Sequence, residues 1–144
     1  MTLAELLAPQ RALRSRFDDF RRALERRDRA AYVLGLRELE SALTHWTEVE
    51  ERVLLPALVR AGVPGRDPRR ELKLEYVQLR ELTRTILDLV GKNGALRDIL
   101  GLVENLERRW NAHETEMERV YYPAASEQIT DDEWRGLESA RPLD

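Results

Sequence analysis

Four stretches of this chain carry apolar residues at helical spacing, and this pattern limits the fold more than any other feature. Within each stretch an apolar side chain recurs every three or four positions, which places these side chains on one face of an α-helix. The four stripes are Leu3, Leu6, Gln10, Leu13, Phe17 and Leu24; Leu36, Leu39, Leu43, Trp46, Glu50, Val53 and Ala57; Leu72, Tyr76, Leu79, Thr83, Ile86 and Val90; and Ile99, Val103, Leu106, Trp110, His113, Met117 and Val120. Long helices with short connections predict an all-α, antiparallel up-down four-helix bundle.

Capping signals and turn residues predict where these helices begin and end. A capping box at Thr2-x-x-Glu5 opens the first helix, which ends near Arg27, and Pro9 kinks it or marks its restart. Asp28 caps the second helix, which AGVPGRDP ends, and Asp67-Pro68 opens the third, which GKNG ends. A second capping box, Thr130-x-x-Glu133, predicts a short C-terminal helix that lays Trp134 and Leu137 across the bundle.

Length and charge limit the kinds of protein that the chain can be. A chain of 144 residues predicts a single domain spanning 1–144. Its net charge of -3 favours neither nucleic acid nor an anionic membrane as a partner, and the basic run 21–29 reads as a solvated helix face. There is no cysteine, signal peptide or stretch of membrane length, so we expect a cytoplasmic protein. The outer faces are mostly charged, which predicts a monomer or a homodimer.

Two segments of the chain repeat each other in part. HWTEVEERVLLPAL begins at His45 and HETEMERVYYPAA at His113, and their prolines align. Residues 51–57 then pair with 118–124, and 6–14 pair with 72–80. The repeat therefore predicts two similar helical hairpins, an arrangement that suits a site between the halves of a bundle.

Each apolar stripe contains a large polar residue where a leucine or valine is expected: Gln10, Glu50, Tyr76 and His113. In a shared layer of the core these groups must find partners, because an unpaired buried polar group costs several kcal/mol. One interpretation is a structural network in which Glu50 pairs with protonated His113 while Tyr76 and Gln10 complete the hydrogen bonds. The other is a transition-metal site made of carboxylate, imidazole and phenol.

The repeated motif resembles a known family. A histidine and a glutamate followed by an Arg-Val-aromatic-aromatic-Pro-Ala run, on helices 2 and 4, looks like a hemerythrin-like, or HHE cation-binding, domain of the bacterial type. The resemblance extends from about Leu3 to the DDEW segment. It implies a four-helix bundle with a di-iron centre. The implied ligands are one histidine on each of helices 1 and 3, and a histidine with a glutamate four residues later on each of helices 2 and 4.

Most of the ligand positions that this resemblance implies hold other residues. The six positions are occupied by Gln10, Trp46, Glu50, Tyr76, His113 and Met117. Only Glu50 and His113 keep the family's residue types, so we do not expect an intact di-iron centre. Gln10, Trp46 and Met117 are predicted to line the pocket at lost ligand positions.

Second-rank candidates lie next to these positions. His45 is displaced by one residue, roughly 100° around the helix, from the position of Trp46. Glu116 and Glu118 flank Met117 and would reach inward only through a local distortion such as a π-bulge. Tyr121 and the tyrosine that follows it are expected to pack at the end of the bundle with a hydroxyl in water.

Two functions follow as expectations. The first is a binding or regulatory module that is not an enzyme and holds no cofactor, with a small ligand in the bundle core or a protein as partner. The alternative is an oxygen or redox sensor in which Glu50, His113 and Tyr76 hold one ion of iron or another transition metal. A Gly-rich phosphate loop and a Ser/His/Asp constellation do not stand out.

Overall fold

A computed structural model describes residues 2–7 and 13–140, and every regular element in that part of the chain is helical. Gln10 and Pro9 lie outside the described residues. The helices are α1 (Leu3–Leu7), α2 (Leu13–Glu25), α3 (Arg29–Val49), α4 (Leu55–Ala61), α5 (Pro68–Gly91), α6 (Leu96–Glu116), α7 (Tyr122–Ser126) and α8 (Asp131–Ala140). A first π-turn (Glu50–Leu54) joins α3 to α4, and a second π-turn (Met117–Tyr121) joins α6 to α7.

Four helical rods build the bundle. Helices α2 and α5 form one rod each, whereas α3 continues into α4 and α6 into α7 through the π-turns. Helix α2 packs on α3 and α6, and α5 packs on the same two helices. Each rod therefore touches two neighbours, which confirms the predicted all-α four-helix bundle. None of the helices in the described ranges combines the length and apolar character that a bilayer crossing requires.

The predicted caps form. The side chains of Asp28 and Asp67 each accept a hydrogen bond from the backbone N–H three residues later, at 3.1 and 3.3 Å. The capping box Thr2–Glu5 has its reciprocal bonds at 2.7 and 3.1 Å, and Thr130–Glu133 at 3.0 and 3.2 Å. These bonds satisfy N–H groups that the first turn of a helix leaves unpaired.

The core contains the apolar stripes. Phe17, Leu39, Leu72, Val103 and Leu106 are each fully buried. Burial of a side chain of this size contributes about 1.5–3 kcal/mol. The stripes therefore hold the four rods together around a common interior.

The two π-turns occur at matching positions of the two hairpins. The Leu55 N–H donates to the Glu50 carbonyl five residues earlier, and the Tyr122 N–H donates to the Met117 carbonyl in the same way. In each case a proline is the second residue of the next helix, Pro56 in α4 and Pro123 in α7, and its missing N–H is tolerated in this first turn. The internal repeat thus includes the backbone geometry.

The π-turns change which residues face the core. Val53 and Val120 were expected on the inner stripes but are only partly buried, whereas Leu54 is 1% exposed and Tyr121 is fully buried. Each π-turn inserts one extra residue and so rotates the following residues about the helix axis. The simple helical period is therefore wrong at these two positions.

Tyr121 fixes the end of the bundle through its hydroxyl, which was expected to lie in water. The hydroxyl donates to Glu71 at 2.6 Å and accepts from Arg66 at 3.0 Å. Arg66 also contacts Glu71 and, at 2.8 Å, Glu116. The loop before α5 is thereby tied to the second π-turn.

Helix α8 lies across the first π-turn, as predicted from the capping box. Leu137 is 1% exposed and Trp134 is partly buried against the core. Arg60 donates to the Gln128 carbonyl at 2.8 Å and forms an ion pair with Glu133. These contacts dock α8 on the rod formed by α3 and α4.

Candidate functional site

A buried ion pair between Glu50 and His113 lies at the centre of the bundle. Glu50 begins the first π-turn, and His113 lies on the inner face of α6. The His113 Nε2 atom lies 2.7 Å from the Glu50 Oε2 atom, and the two residues are 2% and 0% exposed. The structure therefore joins two polar residues that the sequence places 63 positions apart.

The second nitrogen of His113 faces Glu75 on α5. Its Nδ1 atom lies 3.1 Å from the Glu75 Oε1 atom. The Glu75 side chain is 34% exposed and forms the solvent side of the cluster. One imidazole thus bridges a buried and a half-buried carboxylate and links three rods of the bundle.

The protonation of His113 follows from this geometry. Burial alone lowers the pKa of the ring, because a low-dielectric interior disfavours its charged form. The charge and hydrogen bond of Glu50, followed by those of Glu75, outweigh burial and raise the pKa to about 10. His113 is therefore an imidazolium at neutral pH, and both of its ring nitrogens donate N–H groups.

Tyr76 lies beside this ion pair. Its ring is 1% exposed and packs edge-on against His113, with 5.8 Å between the ring centroids. Burial, and then the charge of Glu50, raise the pKa of Tyr76, so its hydroxyl keeps its proton. The hydroxyl has no hydrogen bond of normal geometry within the described part of the chain.

A second polar pair lies one helical turn away on α6. The Trp110 Nε1–H donates to the Glu114 Oε1 atom at 2.8 Å, and Glu114 is 6% exposed. Burial raises the pKa of Glu114, while the bond from Trp110 opposes the rise. The Trp110 ring lies 5.3 Å from the His113 ring, so the two polar pairs share one aromatic cluster.

Two of the other implied ligand positions hold buried apolar side chains. Trp46 is 3% exposed and Met117 is fully buried. Gln10 belongs to the undescribed part of the chain. The structure therefore brings Glu50, Tyr76 and His113 together and surrounds them with packed side chains.

The second-rank candidates lie outside this cluster. The His45 Nε2–H donates to the Ala140 carbonyl at the end of α8, at 2.7 Å, and the ring packs edge-on against Trp46. Glu116 pairs with Arg66, and Glu118 is exposed. A π-turn does begin at Met117, but it turns neither glutamate toward His113.

Two metal ions do not fit the donor set of this cluster. Iron, manganese and zinc take imidazole and carboxylate ligands, but the cluster has one imidazole, His113, and each of its ring nitrogens already has a carboxylate partner. Trp46 and Met117 fill volume with an indole and a thioether, which are poor donors for these ions. Among residues 2–7 and 13–140, no group of three or more acidic or histidine side chains is arranged to hold an ion.

A small cavity leads from the surface to His113. It has a volume of about 170 Å³ and lies between α5 and α6, where Glu75, Gln78, Arg109 and His113 contribute to its wall. Glu75 stands between the imidazolium and solvent in this passage. Solvent therefore reaches the cluster from the side of α5.

Sequence reasoning missed Glu75 and Glu114. Each lies one position beside a residue that the stripes do identify, Tyr76 and His113, and neither was named as a candidate site residue. A usable signal exists for Glu114 alone, because it follows Trp110 by four residues and shares its helix face. The role of Glu75 depends on the packing of α5 against α6, which helical spacing does not reveal.

The sequence matches the model of a known protein family. The family model described as "Hemerythrin HHE cation binding domain" matches residues 1–127. This span includes all four rods and both π-turns and ends before α8. Neither a curated protein nor a solved structure matches the chain.

Proposed function

This chain belongs to the hemerythrin HHE cation-binding domain family, and from that premise we propose that it uses the family's bundle as a binding or regulatory module without di-iron chemistry. In this proposal the polar layer of the core is a structural network and holds no metal centre. The partner is a small ligand or another protein, and the module does not catalyse a reaction.

The observation that carries the proposal is the state of His113. Its two ring nitrogens lie 2.7 and 3.1 Å from carboxylate oxygens of Glu50 and Glu75, so each nitrogen already has a partner within the cluster. Metal binding would require the ring to lose a proton that its two carboxylate neighbours hold strongly.

The network has a structural purpose of its own. Glu50, Glu75 and His113 come from three different rods, so the cluster is satisfied only when those rods take the observed register. Buried polar groups often specify one arrangement among several of similar packing. We infer that the network fixes the register of the three rods that contribute its residues.

Metal analysis tests the proposal. Protein purified without chelator or affinity-tag metal should contain iron, manganese and zinc far below one ion per chain, and it should be fully folded and colourless. The matched controls are His113→Gln in the core and His45→Gln at the α8 contact. Near-stoichiometric metal that is lost in His113→Gln and kept in His45→Gln would overturn the proposal.

One observation favours a second candidate function, an oxygen or redox sensor with a single ion at Glu50, His113 and Tyr76. The Tyr76 hydroxyl is buried beside Glu50 without a hydrogen bond of normal geometry among the described residues. Such a group is expensive to bury unless something completes its bonding. Addition of ferric iron separates the two functions, since only the sensor predicts a visible absorption band that disappears in Tyr76→Phe.

A further inference from the structure

A groove between α3 and α5 contains a cavity that is separate from the ion-pair cluster. Its volume is about 210 Å³, and none of Glu50, Tyr76, Glu75 or His113 contributes to its wall. A cavity of this size holds the equivalent of about seven water molecules. It therefore suits a ligand much smaller than a drug-sized molecule or a nucleotide.

Opposite charges line this cavity. Glu40 on α3 and Arg84 on α5 both contribute to the wall. Neither makes a hydrogen bond or an ion pair in the structure with residues 2–7 or 13–140. Arg80, which also lines the cavity, differs because it pairs with Glu51 at 3.1 Å. Glu40 and Arg84 thus leave one negative and one positive charge available to a ligand.

Two threonines add acceptor atoms. The Thr47 hydroxyl donates to the Thr44 carbonyl at 3.1 Å, and the Thr83 hydroxyl donates to the Leu79 carbonyl at 2.7 Å. Because each hydroxyl hydrogen is already used, the oxygen lone pairs remain as acceptors. Both residues are buried and belong to the cavity wall, so the wall favours a ligand group that donates hydrogen bonds.

The remaining wall is aliphatic. Leu43 and Leu79 are each 4% exposed, and Leu87 is partly buried against the core. A ligand that fits this wall has an apolar carbon body. It also needs one donating cationic end and one anionic end.

We propose that this cavity binds a small zwitterion of the amino-acid class. Its ammonium group bonds to Glu40 and the threonine oxygens, its carboxylate pairs with Arg84, and its carbon chain contacts the leucines. A carboxylate suits Arg84 because the guanidinium presents two parallel N–H donors. The inference goes beyond the metal-free role proposed for the core, because the two sites share no residue.

Calorimetric titration of the full chain with L-valine and with 4-aminobutanoate tests this site. At least one of the two zwitterions should bind saturably. Isobutylamine and isobutyrate, which carry only one of the two charges, should bind at least about tenfold more weakly, since each loses a charge-assisted hydrogen bond. Equal binding of the single-charge analogues, or no saturable binding of either zwitterion, would overturn the proposal.

Variants locate the ligand in the groove. Glu40→Gln and Arg84→Gln should each weaken the bound zwitterion by about tenfold. The matched controls are Glu104→Gln and Arg97→Gln, exposed charges on α6. Equal losses in the controls would place binding elsewhere and refute the assignment. Because metal content is measured separately, this result and the result for the core are independent.

Discussion

Leucine at Glu50 and His113, singly and together, perturbs a buried interaction that joins two rods of the bundle. Glu50→Leu leaves the His113 imidazolium without its closest counter-charge, and His113→Leu does the same to the Glu50 carboxylate. Each single change should cost about 3–5 kcal/mol, since it leaves a charge in the core with its main partner removed. The double change removes both charges and leaves two apolar side chains in an apolar layer.

The free energy that the ion pair contributes to folding follows from the ionisation of His113. A ring whose pKa rises from its usual 6.5 to about 10 on folding stabilises the native state by about 4 kcal/mol at pH 7. That figure agrees with the expected cost of the single changes. The double variant should lie within about 1 kcal/mol of the wild type or be more stable, so the two changes couple by several kcal/mol.

Urea unfolding at pH 7, followed by circular dichroism, measures the four stabilities, and equal m-values show that the same surface unfolds in each variant. Where a leucine variant is too unstable, Glu50→Gln and His113→Gln complete the cycle. The control is the pair Trp46→Leu and Met117→Leu. These two residues align with His113 and Glu50 in the internal repeat, and their replacement removes no charge, so the double control variant should not regain stability. Additivity of the Glu50 and His113 changes within about 0.5 kcal/mol would refute the coupled pair.

Other consequences can be checked on the same protein. The stability that His113 contributes is fully present below pH 6.5 and is lost as the pH rises toward 10, by up to about 1.4 kcal/mol per pH unit, so urea titrations of His113→Gln should show a flatter profile. Glu75→Gln should cost less than about 1 kcal/mol, because its side chain is 34% exposed, and a larger loss would show that the outer bond dominates. Tyr121→Phe should cost about 1–3 kcal/mol in thermal unfolding by removing the bond to Glu71, and an unchanged stability would contradict that bond. Leu137→Ala should expose the α8 amides to hydrogen exchange and leave the bundle protected, whereas global loss of protection would contradict local docking.

The helices and their buried faces could be predicted from the sequence because helix formation and capping depend on residues close together in the chain. Apolar spacing identified the faces that carry Phe17, Leu72 and Val103, and the caps at Asp28 and Asp67 depend only on residues within one turn. The pairing of Glu50 with His113 was also predictable as one of two alternatives. Both occupy core stripes in aligned motifs, and a buried carboxylate and imidazole each need a partner.

The remaining features depend on three-dimensional packing. Val53 and Val120 do not occupy the core positions predicted for them, because each π-turn inserts a residue. A prediction from regular helical spacing assumes that no residue is inserted. Glu75 entered the site because α5 packs against α6 at the level of His113. Such contacts arise between residues far apart in sequence, so the pattern within one helix does not reveal them.

A nitrogen-15 NMR titration of this 144-residue chain, with His45→Gln used to assign the two histidines, measures the protonation of His113 directly. We expect an imidazolium with both ring nitrogens protonated at pH 7 and a pKa of about 10. A neutral ring at pH 7, with one nitrogen free of its proton and able to bind metal, would contradict this expectation.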